Sequence, residues 1–395
     1  MKKYISVFIK IIVCIFIVIN LTSCWGAHEL NKLAIVMGVG IDKGKANDMV
    51  DITVQVAKVL DIKSSPKGSS GSVGGSDSGY LNLEEKGRSI SQAVKNINRK
   101  INRKLFFSHN QVIILGKDAA EAGISKYIDF FLRYRENRLL VWVIVAKGSA
   151  AEMLDIKPGL ETTPGRSIGE LIRNQEEDTS LMPAVELKDF ASRLMSKTTS
   201  PIAPIIEVSK EDKKKTVYLS ETAVFKKDKM VGTLDKKETR GLLWVINKVK
   251  DGVITVSMPD DKDKVDIETT HVSSKITAEI KDNKPKMKIE IKQEGDLQEQ
   301  TSAEDFANPK AFAILEKSEE DIIKEEVISS LKKSRELNAD TFGFGDIIYE
   351  HYPKQWMEME KNWDEIFQKI QVDVSVHSKI NRTGRITKPI MSPDK

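Results

Sequence analysis

The chain is poor in cysteine: Cys14 and Cys24 are its only two among 395 residues. Nothing after residue 24 can therefore supply a disulfide, a thiolate metal site or a cysteine nucleophile. A strong charge of either sign is missing as well. The formal net charge is +4, and Lys2, Lys3 and Lys10 precede Cys24 with no acidic residue among them, so the remainder carries only +1. Such a balance gives no reason to expect nucleic acid as a partner. Long apolar runs are absent too. The longest, within "YISVFIKIIVCIFIVIN", is interrupted by Lys10 and leaves a clean stretch from Ile11 to Ile19, far short of the roughly 20 residues a membrane-spanning helix needs.

Motifs that carry chemistry are equally scarce. His28, His109, His271, His351 and His377 are scattered, without an H-E-x-x-H or H-x-H pairing. No G-x-S-x-G elbow and no P-loop occurs. Ser64-x-x-Lys67 lies in a Ser/Gly stretch with no partner S-D-N or K-T-G. Asp261, Asp263 and Asp266 hint at a calcium loop, but the positions that need Gly and Glu hold Asp266 and Val272. Gly38 and Gly40 follow a strand-like segment, yet a turn and a second strand come next where a dinucleotide site requires a helix N-terminus. Close packing is the better reason for those glycines. Carboxylate pairs such as Glu176-Glu177 nominate no glycosidase acid and nucleophile. No cofactor and no metal is expected, and no enzyme activity.

What is present begins at Leu21-Thr22-Ser23-Cys24. A basic start and a short apolar segment have the form of a secretory signal, and the aliphatic-small-small-cysteine ending resembles the bacterial lipobox. That chemistry needs the thiol: a diacylglyceryl group forms a thioether on Cys24 before cleavage leaves it as the first residue. Each buried CH₂ contributes roughly 0.8 kcal/mol, and a single acyl chain holds only marginally, so two matter. The expectation is a lipid-anchored protein with residues 1–23 removed as a signal peptide.

Beyond the anchor the patterns alternate. "LAIVMGVGID" and "DITVQVA" form a hairpin around "KGKAND". Residues 64–79 read as a flexible Ser/Gly loop. Helices are expected over 83–101 and 119–136, with strands in "NQVIILG" and "RLLVWVIVAKG". These make a mixed α/β N-terminal domain over 24–148. Prolines punctuate a mainly helical middle domain over 149–215. A C-terminal α/β domain over 216–395 follows, with two strands in 216–234, a capped helix start at Asp235 and Glu238, and three further alternating strands. Its helices cover 318–337 and 353–370, and a last strand is "VDVSVHSKI". The expected fold class is thus α+β or mixed α/β, with mixed sheets packed by helices in three domains. The stretch "TFGFGDIIYEHYPKQW" is the most distinctive internal segment. Phe342 and Phe344 flank glycines, so they either seat a helix corner or offer a partner surface together with Trp25.

Taken in order, Cys24-Trp25, "LAIVMGVGIDK", "FFSHNQVIILG", "AVFKKDKMVGTLD" with "ETRGLL", and "DTFGFGDIIYEHYPKQWMEMEKNWDEIF" resemble the Ger(x)C family of spore germination lipoproteins. The resemblance runs from Cys24 to about residue 386. One departure is Gly26-Ala27, where the family commonly has an acidic residue after Cys-Trp. The resemblance implies a non-catalytic C subunit of a nutrient germinant receptor, lipid-anchored on the outer face of the inner spore membrane. It would act there with integral-membrane A and B subunits. A solute-binding lipoprotein serving a transporter is the alternative.

Overall fold

A computed structural model describes residues 4–8, 10, 32–46, 48–58, 79–209, 215–257, 264–301, 306, 308–384 and 386. The Ser/Gly loop reading at 64–79 falls almost wholly outside them, as do Asp261 and Asp263 of the acidic turn. The strands are β1 (Leu33–Lys43), β2 (Val50–Ala57), β3 (Tyr80–Gly87), β4 (Lys104–Phe106), β5 (Val112–Leu115), β6 (Trp142–Ala146), β7 (Ile202–Val208), β8 (Val217–Lys226), β9 (Lys229–Leu234), β10 (Val253–Ser257), β11 (Lys264–Lys281), β12 (Lys284–Gln300) and β13 (Gln371–Arg382). The helices are α1 (Ile90–Asn98), α2 (Lys117–Ala122), α3 (Ser125–Arg133), α4 (Ala150–Asp155), α5 (Pro164–Asn174), α6 (Leu187–Met195), α7 (Lys236–Val245), α8 (Pro309–Glu336), α9 (Phe344–His351), α10 (Pro353–Met359) and α11 (Trp363–Lys369). The mixed α/β expectation is met.

Two sheets organise the chain. A nine-stranded sheet runs β3-β2-β1-β5-β6-β7-β8-β9, with β4 beside the start of β1. Its centre is parallel, from β1 through β5 and β6 to β7, and antiparallel pairs flank it on both sides. Those central strands are continuous apolar runs because both faces are covered. Val39, Ile41, Ile113 and Leu115 face one core, and Val112, Ile114 and Ile144 face the second, under α4 and α5. The other sheet is the order β10-β11-β12-β13. One uninterrupted apolar cluster joins the two sheets through Leu242, Trp244, Ile323, Val327, Phe344 and Phe367. The stride of four in Ile323, Val327 and Leu331 gives α8 the buried stripe expected of it.

The expected glycine packing is present. A Cβ at Gly38 would stand 2.9 Å from Leu154 Cδ2, and one at Gly40 would stand 3.1 Å from Ala150 Cβ. The capping box at Asp235 and Glu238 forms in both directions.

Four local readings differ. Residues 83–87, expected as the lead of a helix, belong to strand β3, which pairs with β2 from Ala57↔Tyr80 to Val50↔Gly87. The expected helix over 119–136 is two helices, since Gly123 adopts φ 118 and redirects the chain. The helix over 353–370 breaks at a single 3₁₀ turn, Glu360–Asn362, before restarting at Trp363. The stretch 149–215 contains β7, which lies between β6 and β8 in the sheet. The nine-stranded sheet therefore crosses both expected boundaries, at 148/149 and at 215/216, without a gap.

Candidate functional site

The most densely bonded polar feature grows from the distinctive stretch. Asp340 is buried, and its carboxylate accepts the backbone N–H groups of Gly343 (2.9 Å), Phe344 (3.1 Å) and Gly345 (2.9 Å). Three donors converge because Gly343 takes φ 76, the left-handed region where a side chain is strained. Gly345 must also lack a side chain, since a Cβ there would lie 2.6 Å from Thr198 Cβ. Burial pushes the Asp340 carboxyl up to about 6, against the lowering effect of those three donors.

One turn further, Asp346 works outward from α9. It accepts Ser196 Oγ (2.8 Å), Thr198 Oγ1 (2.8 Å) and Thr199 Oγ1 (2.6 Å). Arg193 completes the joint by donating to the carbonyls of Thr341 (2.9 Å) and Ser200 (3.1 Å). The chemistry is that of a fixed joint. Asp346 clamps the segment after α6 to the start of α9 while Asp340 fixes the turn that opens α9, and the donors are backbone N–H groups and short hydroxyls with little freedom to lose.

Phe342 and Phe344 point inward here. Their rings stack at 5.2 Å and 15°, and Phe344 also meets Phe367 at 6.2 Å. At 4% and 0% exposure they offer no surface to a partner. The partner-surface expectation for these two residues is corrected: they seat the helix corner. Leu21, Thr22, Ser23, Cys24 and Trp25 lie outside the described residues.

A second feature is a polar cleft of about 810 Å³ at the C-terminal ends of β1, β5 and β6, the place where parallel sheets present ligand sites. Its wall carries Asp42, Asp51, Lys86, Lys117, Asp118 and Lys147. Much of that charge is spent internally. Asp42 accepts Ala150 N–H (2.8 Å) and Ala151 N–H (3.0 Å), Lys147 pairs with Glu207 at 2.7 Å, and Lys86 pairs with Asp51 at 3.5 Å. Among the described residues no group of three His, Cys, Asp or Glu side chains is placed to hold a metal ion.

The sequence missed a third feature, a buried ionic cluster between α7, α8 and the four-stranded sheet. Arg240 lies over the Trp244 ring at 5.3 Å and 3.9 Å from Glu326, which accepts Trp244 Nε1–H at 2.7 Å. Next to it Glu319, fully buried, accepts Ser378 Oγ–H at 2.5 Å. Burial pushes the Glu319 carboxyl up to about 7. Its signal is the five acids of "SEEDIIKEE", on a helix whose apolar stripe is the more conspicuous pattern.

Comparison with known proteins closes on the same answer over nearly the full length. The family described as "Spore germination protein N-terminal domain" matches residues 26–208, and "Spore germination B3/ GerAC like, C-terminal" matches residues 220–384. Spore germination protein KC of Bacillus subtilis (strain 168) is 27% identical over 391 residues, covering 94% of this chain and 95% of that protein. Spore germination protein B3 of the same organism is 24% identical, covering 96% and 99%. The crystal structure of the GerBC protein matches 87% of this chain and 96% of its own, with a TM-score of 0.57 at 20% identity, a likeness of fold. No helix among the described residues is long and apolar enough to cross a membrane. With both halves matched in order, the chain belongs to the GerAC-like family of spore germination proteins.

Proposed function

We propose that this chain is the lipid-anchored, non-catalytic C subunit of a nutrient germinant receptor. It acts with integral-membrane A and B subunits on the outer face of the inner spore membrane. The observation that carries the reading is the position of Leu21-Thr22-Ser23-Cys24 immediately before the segment matched to the family, which begins at residue 26. The names of the relatives, spore germination proteins KC, B3 and A3, support a role in germination. The joints and cores described above suit a scaffold, whose work is to hold surfaces in fixed relation. With Phe342 and Phe344 internal, Trp25 is the aromatic proposed for contact with a partner.

Cys24→Ala tests the reading. Spores carrying it are expected to retain the protein poorly in the membrane fraction and to respond weakly to nutrient. A full germination response from a protein found only in the soluble fraction would overturn it. The cleft beside Asp42 favours one second reading, a solute-binding lipoprotein. Titration calorimetry of the chain from residue 24 onward with amino acids and sugars separates the two, because only a solute-binding protein gives saturable heat.

A further inference from the structure

The described fold beyond residue 10 opens at Lys32, and β1 starts at Leu33. Leu33 pairs with Lys104 of β4, so the loop that leads into β4 borders the point where the chain enters the fold. That loop reads Asn98-Arg-Lys-Ile-Asn-Arg-Lys104 and has four cations and no acid. It is held in place, with Leu105 N–H donating to Asn98 Oδ1 at 3.2 Å. Lys104 in turn pairs with Glu136 at 2.5 Å, which brings up the loop after α3 with Arg135 and Arg138. That second loop is pinned from beneath: Tyr134 stacks on Phe130 at 5.2 Å and meets Phe107 at 5.4 Å. Ser108 Oγ–H bonds the Glu136 carbonyl at 2.9 Å.

The arginines here differ from most exposed arginines elsewhere. Arg88, Arg133, Arg166 and Arg173 each meet a carboxylate. Arg99, Arg103, Arg135 and Arg138 are exposed, and none meets a carboxylate among the described residues. The two acids within reach, Glu85 and Glu136, are already engaged by Lys100 and Lys104. Exposed guanidinium groups on rigid loops are suited to bidentate capture of phosphate oxygens.

Distance supplies the occupant. Cys24 lies nine peptide steps before Leu33, and even a fully extended chain spans at most about 3.6 Å per step, or roughly 30 Å. Resting on the lipid-anchor reading, we propose that Arg99, Arg103 and Arg135 form a docking surface for anionic phospholipid headgroups. The surface turns the entry end of β1 toward the bilayer, so that the protein is oriented as well as tethered. The lipid supplies residence on the membrane. The arginines supply the angle, and their attraction adds to the acyl chains in the way a basic patch adds to a lipid anchor.

The test uses the chain from residue 24 onward with Cys24→Ser, which carries no lipid and keeps every strand and helix of both sheets. Flotation with vesicles of phosphatidylcholine containing about one third phosphatidylglycerol is compared with phosphatidylcholine alone. Binding to the anionic vesicles only, weakened by high salt, is expected. The triple variant Arg99→Gln, Arg103→Gln, Arg135→Gln is expected to bind at least about tenfold more weakly, with an unchanged circular dichroism spectrum. Equal binding by the variant, or no preference of the parent chain for anionic vesicles, overturns the proposal. A folded variant of three exposed glutamines elsewhere, Lys237→Gln, Lys288→Gln and Lys317→Gln, must keep the parent's binding; if it loses as much, the effect is bulk charge and the proposal fails. Mass analysis of the residue-24 peptide from cells reports separately on the lipid itself.

Discussion

Single residues divide into those that fix joints and those that carry a titratable cost. Glu319 belongs to the second group. Its carboxyl sits at about 7 in the fold against an ordinary 4.5, because burial disfavours the charged form more than Ser378 and Arg240 favour it. Glu316 and Glu320 on the same helix face add repulsion. The folded protein thus binds this proton more tightly than the unfolded chain does. The associated stability is complete below pH 4.5 and is lost as pH rises through 7, a difference of about 3 kcal/mol at most. Asp340, raised to about 6 from 3.8, acts in the same direction. The urea midpoint is therefore expected to fall between pH 5 and pH 8, and Glu319→Gln is expected to flatten that fall. A Glu319→Gln protein with the parent's full pH slope would contradict the assignment. None of this was legible in the sequence, where Glu319 is one of several acids in a helix. Only the tertiary contact with β13 removes it from water.

At the scale of elements, helix contact distance decides more than propensity. Gly241 lies within α7 where α8 crosses, and a Cβ there would stand 2.0 Å from the Glu326 carbonyl oxygen. Alanine gains about 1 kcal/mol of helix propensity over glycine, but the clash is with backbone and cannot be relieved by a rotamer. Gly241→Ala is expected to cost about 2 kcal/mol net, read as a lower denaturation midpoint at constant slope. The glycine in "ETRGLL" was visible in the sequence, whereas its reason lay on another helix more than 80 residues away. Alternation, short apolar runs and the stride of four were enough to place β1, β2, β5, β6, β8 to β13 and α8. β3 escaped because "LNLEEKG" is too polar to read as a strand. It lies at the sheet edge, where only one flank is bonded. β7 escaped because Pro201 and Pro204 read as punctuation of a mainly helical segment. Pro204 is tolerated because β6 pairs with β7 only at Ile205 and Ile206. The free side of β13 is managed by α8, whose Glu320 and Glu316 accept the N–H groups of Ser378 (3.4 Å) and Ile380 (2.9 Å).

For the whole molecule, the family's two matched regions meet between residues 208 and 220. That seam falls between β7 and β8, which pair from Ile202↔Val224 to Val208↔Val217. Separating the halves there bares two apolar strand edges and cuts the continuous core. Residues 24–208 and 216–395 produced alone are expected to be insoluble or to aggregate, and co-expression is expected to recover a soluble complex on size exclusion. Two independently soluble, monomeric halves would count against a single cooperative body. The family was readable from the sequence because it rests on residue identity and order. The joint at Asp340 and Asp346 was half readable, its glycines and phenylalanines standing out while the hydroxyl partners at 196–199 did not.

The β7–β8 seam also bears on how such chains can be recombined. Swapping the C-terminal half for that of a relative replaces one strand of a hydrogen-bonded pair, and a shift of one residue would turn every inward side chain of β8 outward. The register shift between Ile205 and Ile206, opposite Glu221 and Leu219, sets the phase of that pairing. Chimaeras joined at this point should therefore assemble only when both parents carry the bulge at the same place. Length between the halves is negotiable; phase is not.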